Sequence, residues 1–420
     1  MVKIGRLYLN RGITSQFFKD FISLITNRGL DSLIGIIVIP YLISEIGEIE
    51  YGRIVLAQSI VYLGVAFVNY GLDLLILKKV PLYIHFQKMR PVSIFMSRII
   101  LLRFGIFLLY LTVYCILQYI FDFSHELNLY FSILSLICFA EVFSASHLLV
   151  AFHDVKILPI ISTFRFLFLF VFTYAFVREE TDAYRYICFY SISYLVSNLV
   201  ILFYTIRKYK LHYYNVFSVN SIKKIFIKSS PFFISKLNLL LSDKLYNILC
   251  ATFVSLSAAA LLDISFKVLS VIIIPVQILS VVILGRFSMR TSQKVIKRVL
   301  LYIFFFSSLL CVALFVTKKY ILTYYSFSSS SDILWTFSLI LFSSLFANLS
   351  IFIGDNIMVS NSLEKQLIKS SIYSSLFIFP LLIMILYFVG NSLFVLSVFF
   401  LFHKLLEFVL RIYYSWNYIN

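Results

Sequence analysis

The sequence predicts an all-α polytopic membrane protein, and three observations carry that reading. Mean hydropathy is +0.97, with 61% hydrophobic and only 13% charged residues, which lies far outside the range of soluble domains. Apolar runs of about 20 residues, the length that crosses a bilayer as a helix, recur along the chain with short polar links. Aromatic residues make up 18%, as expected for lipid-facing bulk and interfacial belts. The expected architecture is about twelve transmembrane helices in two six-helix parallel pseudo-repeats around a central cavity.

In chain order, Lys3, Arg6, Arg11 and Lys19 precede a full-length apolar span. No short apolar region ending in a small-residue cleavage site is present, so the first helix is expected to be retained. The spans fall at about 20–43, 53–76, 96–120, 129–150, 157–177, 185–206, 230–252, 261–285, 299–316, 333–353, 367–389 and 392–415. Sorting the links by charge puts nearly all Lys and Arg on the N-terminal side of the bilayer. The opposite side receives only Arg178, Arg185, Lys318 and Lys319 but collects Glu45, Glu48, Glu50, Asp122, Glu126, Glu179, Glu180, Asp182 and Asp332. Such a bias predicts both termini in the cytoplasm.

The net charge of +17 then faces anionic membrane lipids. No nucleic-acid partner is expected, because the basic residues are spread over many links. The longest polar link runs from Arg207 to Ser229 and divides the chain into an N-terminal six-helix lobe (1–206), a cytoplasmic linker (207–229) and a C-terminal six-helix lobe (230–420). An even number of spans in each lobe makes the two repeats parallel.

Several chemistries are absent. Cys115, Cys138, Cys188, Cys250 and Cys311 lie in apolar runs without CxxC spacing, so neither a disulfide framework nor a redox motif is expected. The histidines show no HExxH or other ligand spacing, and neither a P-loop nor a dinucleotide-binding glycine pattern occurs. No metal, cofactor or catalytic residue is assigned, and the chain is not read as an enzyme.

What remains to explain is the charge left inside the spans. Arg28 sits roughly 12–16 Å into the first helix, where a lone charge costs about 3 kcal/mol on insertion scales, and Asp31 follows on nearly the same face. In span 7, Lys236, Asp243 and Asn247 fall on one stripe at 100° per residue, with Lys244 on its flank. Arg165 lies deep in span 5 with no acid within a turn or two. Arg28, Arg165, Lys236 and Lys244 are therefore the candidate ligand-binding cations, and Asp31 and Asp243 the candidate cavity or ion-coupling acids. Arg53, Asp73, Glu141, Asp263 and Lys267 form a further set. Simpler roles compete for some of these groups. Asp263 and Lys267 are spaced to neutralise each other on one helix, as are Lys404 and Glu407. Arg53 is placed to snorkel at the outer interface, and Arg103 to reach the inner headgroups beside Arg98.

Pro40-Tyr41-Leu42-Ile43, Gly47, Glu50-Tyr51-Gly52-Arg53 and Asn69-Tyr70-Gly71-Leu72-Asp73 ahead of Lys78 resemble the N-terminal signature of Wzx-type bacterial polysaccharide flippases. Their superfamily, MOP, also contains MATE drug exporters and lipid II flippases. The equivalent turn in the second half, Ala260-Leu261-Leu262-Asp263, departs from the Gly-Tyr pattern. The resemblance implies alternating-access translocation of undecaprenyl-diphosphate-linked oligosaccharide repeat units, such as those of O-antigen lipopolysaccharide, across the bacterial inner membrane. It also implies polysaccharide polymerase and assembly proteins as partners. Arg28, Arg165, Lys236 and Lys244 would receive the diphosphate or acidic sugars, and Asp31 or Asp243 would exchange a proton or cation. Two rivals remain. A MATE-like small-molecule exporter would favour a net acidic cavity. A membrane glycosyltransferase or polymerase would need a substantial outer loop, and Glu45, Glu48 and Glu50 sit on a short one.

Overall fold

The computed structural model describes Gly29 and residues 34–85, 89–120, 124–152, 154–214, 218–287, 293–328, 330–359, 361, 363–388 and 392–419. Arg28 and Asp31 lie outside the described residues, as does the side chain of Lys236. The described residues form helices without strands. A π-helical turn, Ile34–Val38, leads into α1 (Ile39–Asn69), followed by α2 (Leu72–His85), α3 (Met89–Ile120), α4 (His125–Val142), α5 (Ser146–Ala151), α6 (Ile157–Phe176) and α7 (Ala183–Tyr209). The second half contains α8 (Val219–Leu249), α9 (Leu256–Phe287), α10 (Gln293–Tyr324), α11 (Ser331–Phe352), α12 (Glu364–Phe388) and α13 (Leu393–Ile419).

Ten segments among the described residues are long and apolar enough to cross a membrane, and the chain is a multi-pass membrane protein. Two expected spans fall outside that count. Most of the first precedes Ile34, and the seventh lies in α8, whose Lys223, Lys224, Lys228, Lys236, Asp243 and Lys244 dilute its apolar character.

Two breaks in the first half set its geometry. Gly47 has φ +81° and ψ 163° inside α1, so the chain kinks there between its first two predicted spans. At the opposite end of α1, Tyr70 and Gly71 both adopt positive φ, a left-handed pair that ends the helix and redirects the chain into α2. A Cβ on Gly71 would lie 2.5 Å from the backbone nitrogen of Phe233. Only a glycine allows α1 and α8 to approach that closely.

The largest apolar core is shared across the two halves of the chain. Leu42, Ile54, Val61, Leu134, Ile187, Leu261, Ile264 and Phe337 belong to one buried cluster, so α1 packs against α4 on one side and α9 on the other. A second core, around Tyr246, Leu262, Leu382 and Phe400, joins α8, α9, α12 and α13. The exposed faces of α3, α6, α7 and α10 carry Leu109, Ile116, Phe164, Phe203, Phe305 and Leu309. Lipid solvates such faces, so their burial in protein is not required.

Candidate functional site: a cationic, tyrosine-walled cavity

The kinked first segment, α1, α6 and α7 meet α8 and α9 around a cavity of ≈ 450 Å³, within the size range of ligand sites. Ile34, Gly35 and Ile39, the described end of the first predicted span, line one wall. Leu240 and Lys244 of α8 line another, as the expected convergence of spans 1 and 7 requires. Arg165, Asp263 and Lys267 add to its charged lining. Among the described residues, three cations thus face one carboxylate.

That carboxylate is tied down. The Tyr51 hydroxyl donates to Asp263 Oδ2 at 2.8 Å, Lys267 Nζ donates to the same oxygen, and Asn247 Nδ2 reaches Oδ1 at 3.4 Å. Lys267 Nζ also donates to the Tyr51 hydroxyl oxygen at 2.6 Å. The predicted helical pair Asp263–Lys267 therefore forms, but within a network that joins α1, α8 and α9. Asp263 keeps 8% of its side chain exposed against 30% for Lys267, so the lysine is the more open member of the pair.

Lys244 Nζ stands 5.1 Å from the centre of the Tyr62 ring, and the Arg165 guanidinium 4.6 Å from that of Tyr194. A cation over an aromatic face is oriented by the ring without having its charge neutralised. Tyr62, Tyr186, Tyr190 and Tyr194 form an aromatic wall, and the Tyr62 and Tyr190 hydroxyls are hydrogen-bonded to each other. These tyrosines do not stand out among the 29 in the sequence. Their signal is the spacing of Tyr186, Tyr190 and Tyr194, three residues four apart on one face of α7.

A second cavity of ≈ 360 Å³ adjoins the first and shares Tyr62, Arg165, Tyr194 and Leu240 with it. Its polar lining includes Asn69, Glu141, His147, Ser162 and Asn198, all from the first half. Glu141 accepts a hydrogen bond from Asn69 Nδ2 at 2.5 Å and lies 3.9 Å from Arg103. Asp73 stands 3.5 Å from the His147 ring.

The remaining candidates serve elsewhere. Asp243 pairs with Lys404 at 3.5 Å, linking α8 to α13, and is absent from the lining of either cavity. The expected Lys404–Glu407 pair does not form. Glu407 is held by Arg411 one turn away, because Arg411 is anchored by the Ser350 carbonyl at 2.8 Å and can reach both. Arg53 binds Glu50 and also Glu126 at 2.5 Å, tying α1 to α4. Arg103 does not reach the headgroups. It is 1% exposed and donates to the Ser144 carbonyl at 2.7 Å, which pulls it inward between α3 and the α4–α5 turn.

Residues 17–291 match the family model described as polysaccharide biosynthesis protein, a stretch that contains every residue lining the two cavities. The chain belongs to the polysaccharide biosynthesis protein family. No curated protein matches it in sequence. Among solved structures it is similar to the inward-facing conformation of a multidrug resistance MATE family transporter of the MOP superfamily. That match has a TM-score of 0.69 at 10% identity, covering 92% of this chain and 98% of that one. It is also similar to the MATE multidrug transporter DinF-BH in complex with R6G, with TM-score 0.68, 12% identity and 96% of each chain covered. A MOP superfamily transporter from Pyrococcus furiosus matches with TM-score 0.58 at 11% identity over 96% of this chain and 95% of that one. It is described by a reversed polarity of its binding pocket that suggests a different function. This member of the polysaccharide biosynthesis family thus carries the fold of MOP-superfamily transporters over nearly its whole length.

Proposed function

We propose that the protein is a flippase. It moves undecaprenyl-diphosphate-linked oligosaccharide repeat units across the bacterial inner membrane by alternating access, with both termini in the cytoplasm. The observation that carries this reading is the composition of the central cavity: Arg165, Lys244 and Lys267 face Asp263 across a wall of tyrosines. A glycosyl diphosphate needs its negative charge matched and its hydroxyls hydrogen-bonded before it can leave water. The three cations supply the first. The tyrosines supply both hydroxyl partners and flat apolar faces for sugar rings. Rocking of the N-terminal (1–206) and C-terminal (230–420) lobes about the cavity would expose it to each side in turn.

Arg28 and Lys236 remain candidate contacts from the two lobes, and Asp31 and Asp243 candidate sites of proton or cation exchange during the return step. Anionic lipids at the basic end, and a polysaccharide polymerase with its assembly proteins, are the proposed partners. No bond is made or broken in this cycle.

The decisive experiment is complementation of a flippase-deficient strain, read as surface polysaccharide. The wild-type gene is expected to restore it, and Arg165→Ala/Lys244→Ala to restore little at equal expression. Full restoration by the double variant would remove the cavity from the mechanism. Export of cationic drugs, as by MATE transporters, is the second reading, and the cationic lining weighs against it. Efflux of a cationic dye by the wild type, with no effect on polysaccharide, would decide in its favour.

A further inference from the structure

The smaller cavity, of ≈ 360 Å³, is laid out along matching stripes of three helices. Tyr62, Ala66 and Asn69 of α1 line it, as do Leu158, Ser162 and Arg165 of α6 and Tyr194, Asn198 and Ile201 of α7. Each set is spaced by four and then three residues, which puts it on one helix face, over about 10 Å at 1.5 Å per residue. Tyr62, Arg165 and Tyr194 also line the larger cavity, and each stands at one end of its set. They form a septum, and the smaller chamber extends from it toward Asn69, Leu158 and Ile201.

The two chambers differ in charge. Among the described residues, the larger one sets three cations against one carboxylate. In the smaller one, beyond the shared Arg165, charged groups are matched locally: Glu141 lies 3.9 Å from Arg103, and His147 lies 3.5 Å from Asp73. Amides and hydroxyls, including those of Asn69, Ser144, Ser197 and Asn198, supply further polar lining. Asn69 carries the deciding observation. It is 3% exposed and donates through Nδ2 to Glu141, which fixes Oδ1 as an acceptor. That oxygen is buried without a hydrogen-bond partner among the described residues. A buried acceptor left unpaired is costly, and a donor on a bound molecule removes the cost. With Glu141 beside it, this wall accepts a hydroxyl or amide hydrogen and repels a second carboxylate. We infer that the smaller chamber is the sugar subsite of the lipid-linked substrate and selects uncharged sugars over acidic ones, while the diphosphate lies at the septum and beyond it, against Arg165, Lys244 and Lys267. The inference rests on the flippase reading and narrows its substrate class.

The test measures binding of three radiolabelled lipids to full-length protein in nanodiscs of phosphatidylethanolamine and phosphatidylglycerol. The probes are undecaprenyl diphosphate alone and the same lipid carrying N-acetylglucosamine or glucuronic acid. The wild type is expected to bind the N-acetylglucosamine lipid about tenfold more tightly than the glucuronic acid lipid. Asn69→Leu, which removes the acceptor, should weaken the N-acetylglucosamine lipid about fivefold and leave the sugar-free lipid unchanged. Asn198→Lys, at a half-buried position on α7, puts a cation into the chamber and should shift the ratio of the two sugar lipids about tenfold toward glucuronic acid. Equal affinity for the two sugar lipids, or preference for the acidic one, overturns the inference. So does an Asn69→Leu loss that is as large for the sugar-free lipid, and so does an unchanged ratio in Asn198→Lys, which decides the matter even where Asn69→Leu fails to fold. In each case restored polysaccharide in the complementation strain leaves the flippase reading standing. Selection of the uncharged sugar, shifted by Asn198→Lys, in a protein that restores no polysaccharide confirms the subsite and overturns the flippase reading.

Discussion

Lys267→Met tests whether the network under the cavity is held by the ion pair or by its neutral members. Asp263 is only 6% exposed and accepts from Lys267, from Tyr51 at 2.8 Å and from Asn247 at 3.4 Å. Removing one partner of a buried pair costs about 3–5 kcal/mol, because the other charge stays desolvated. Two neutral donors remain to Asp263 and the cavity adjoins it, so the lower end, about 3 kcal/mol, is expected for Lys267→Met. Asp263→Asn is not symmetrical with this. It leaves an ammonium on a side chain that is 30% exposed and lines the cavity, where it can be hydrated, for a loss of about 1–2 kcal/mol. The double variant leaves no orphaned charge and should lie within about 1 kcal/mol of the wild type. Unfolding titrated with SDS in mixed micelles, run as a double-mutant cycle, reads the coupling directly. Additive losses, or a Lys267→Met loss no larger than that of Asp263→Asn, would refute the assignment of Asp263 as the desolvated, anchored partner.

Three further expectations follow from the same coordinates. Gly52→Ala puts a Cβ 1.9 Å from the Leu256 carbonyl oxygen, and overpacking of this kind costs about 1–3 kcal/mol. Since Ser257 donates to Glu48 at 2.5 Å beside that contact, oxidative crosslinking of Glu48→Cys with Ser257→Cys should slow in the Gly52→Ala background, and an unchanged rate would contradict the close packing of α1 on α9. Tyr194→Ala removes the ring under Arg165 and, under the proposed function, a face for sugar stacking, a loss of about 1–2 kcal/mol, or roughly tenfold in transport, with Tyr194→Phe retaining most activity in the complementation assay. Asp154, in the α5–α6 link, is pushed up by burial, but Lys208, Tyr209 and Tyr204 outweigh that and hold its carboxyl below the usual value. A carboxyl lowered in the folded state stabilises above its unfolded pKa, and the contribution fades as pH falls through the folded value. Thermal melts of the wild type should therefore lose up to about 1 kcal/mol of Asp154-dependent stability in the acid range below pH ~4, a component missing from Asp154→Asn.

The helical, membrane-spanning architecture was legible because hydrocarbon imposes it: a backbone that cannot reach water must bond to itself, and the apolar runs record that directly. Charge was harder to read, since a sequence gives the spacing of ionisable groups along one helix but not across helices. Asp263 and Lys267, four apart on α9, could be paired from spacing alone. Lys404 and Glu407, three apart on α13, satisfied the same rule and yet chose Asp243 and Arg411, because Asp243 comes from α8, far off in sequence. Arg103 fails for the same reason. It sits near a span end, where reaching water is cheap, but finds a carbonyl in the α4–α5 turn first. The tyrosine wall was hidden by abundance, since 29 tyrosines include many that face lipid.

The intramembrane charges now divide by what opposes them, and the division bears on mechanism. Arg53, Arg103, Lys404 and Arg411 each meet an acid or a carbonyl across a helix boundary, so their positive charge is spent on holding helices together. Arg165 and Lys244 instead lie over aromatic rings, which orient a cation without cancelling its charge. A rocking motion needs joints that survive it and a ligand contact that can be made and released. Ion pairs within one half, such as Arg53 with Glu126, suit the first, and under the proposed function the cavity cations would serve the second. Lys267 stands between the two groups, anchored to Asp263 yet facing the cavity. An incoming diphosphate would compete with Asp263 for it, which couples substrate arrival to the tie between α1 and α9. Tyr51→Phe weakens that tie while leaving all three cavity cations in place. It should therefore change the rate of exchange between inward- and outward-open forms, measured by single-molecule distance between labels on the two halves, more than it changes substrate affinity. An affinity loss as large as that of Arg165→Ala, with exchange unaltered, would show that the tie belongs to binding alone.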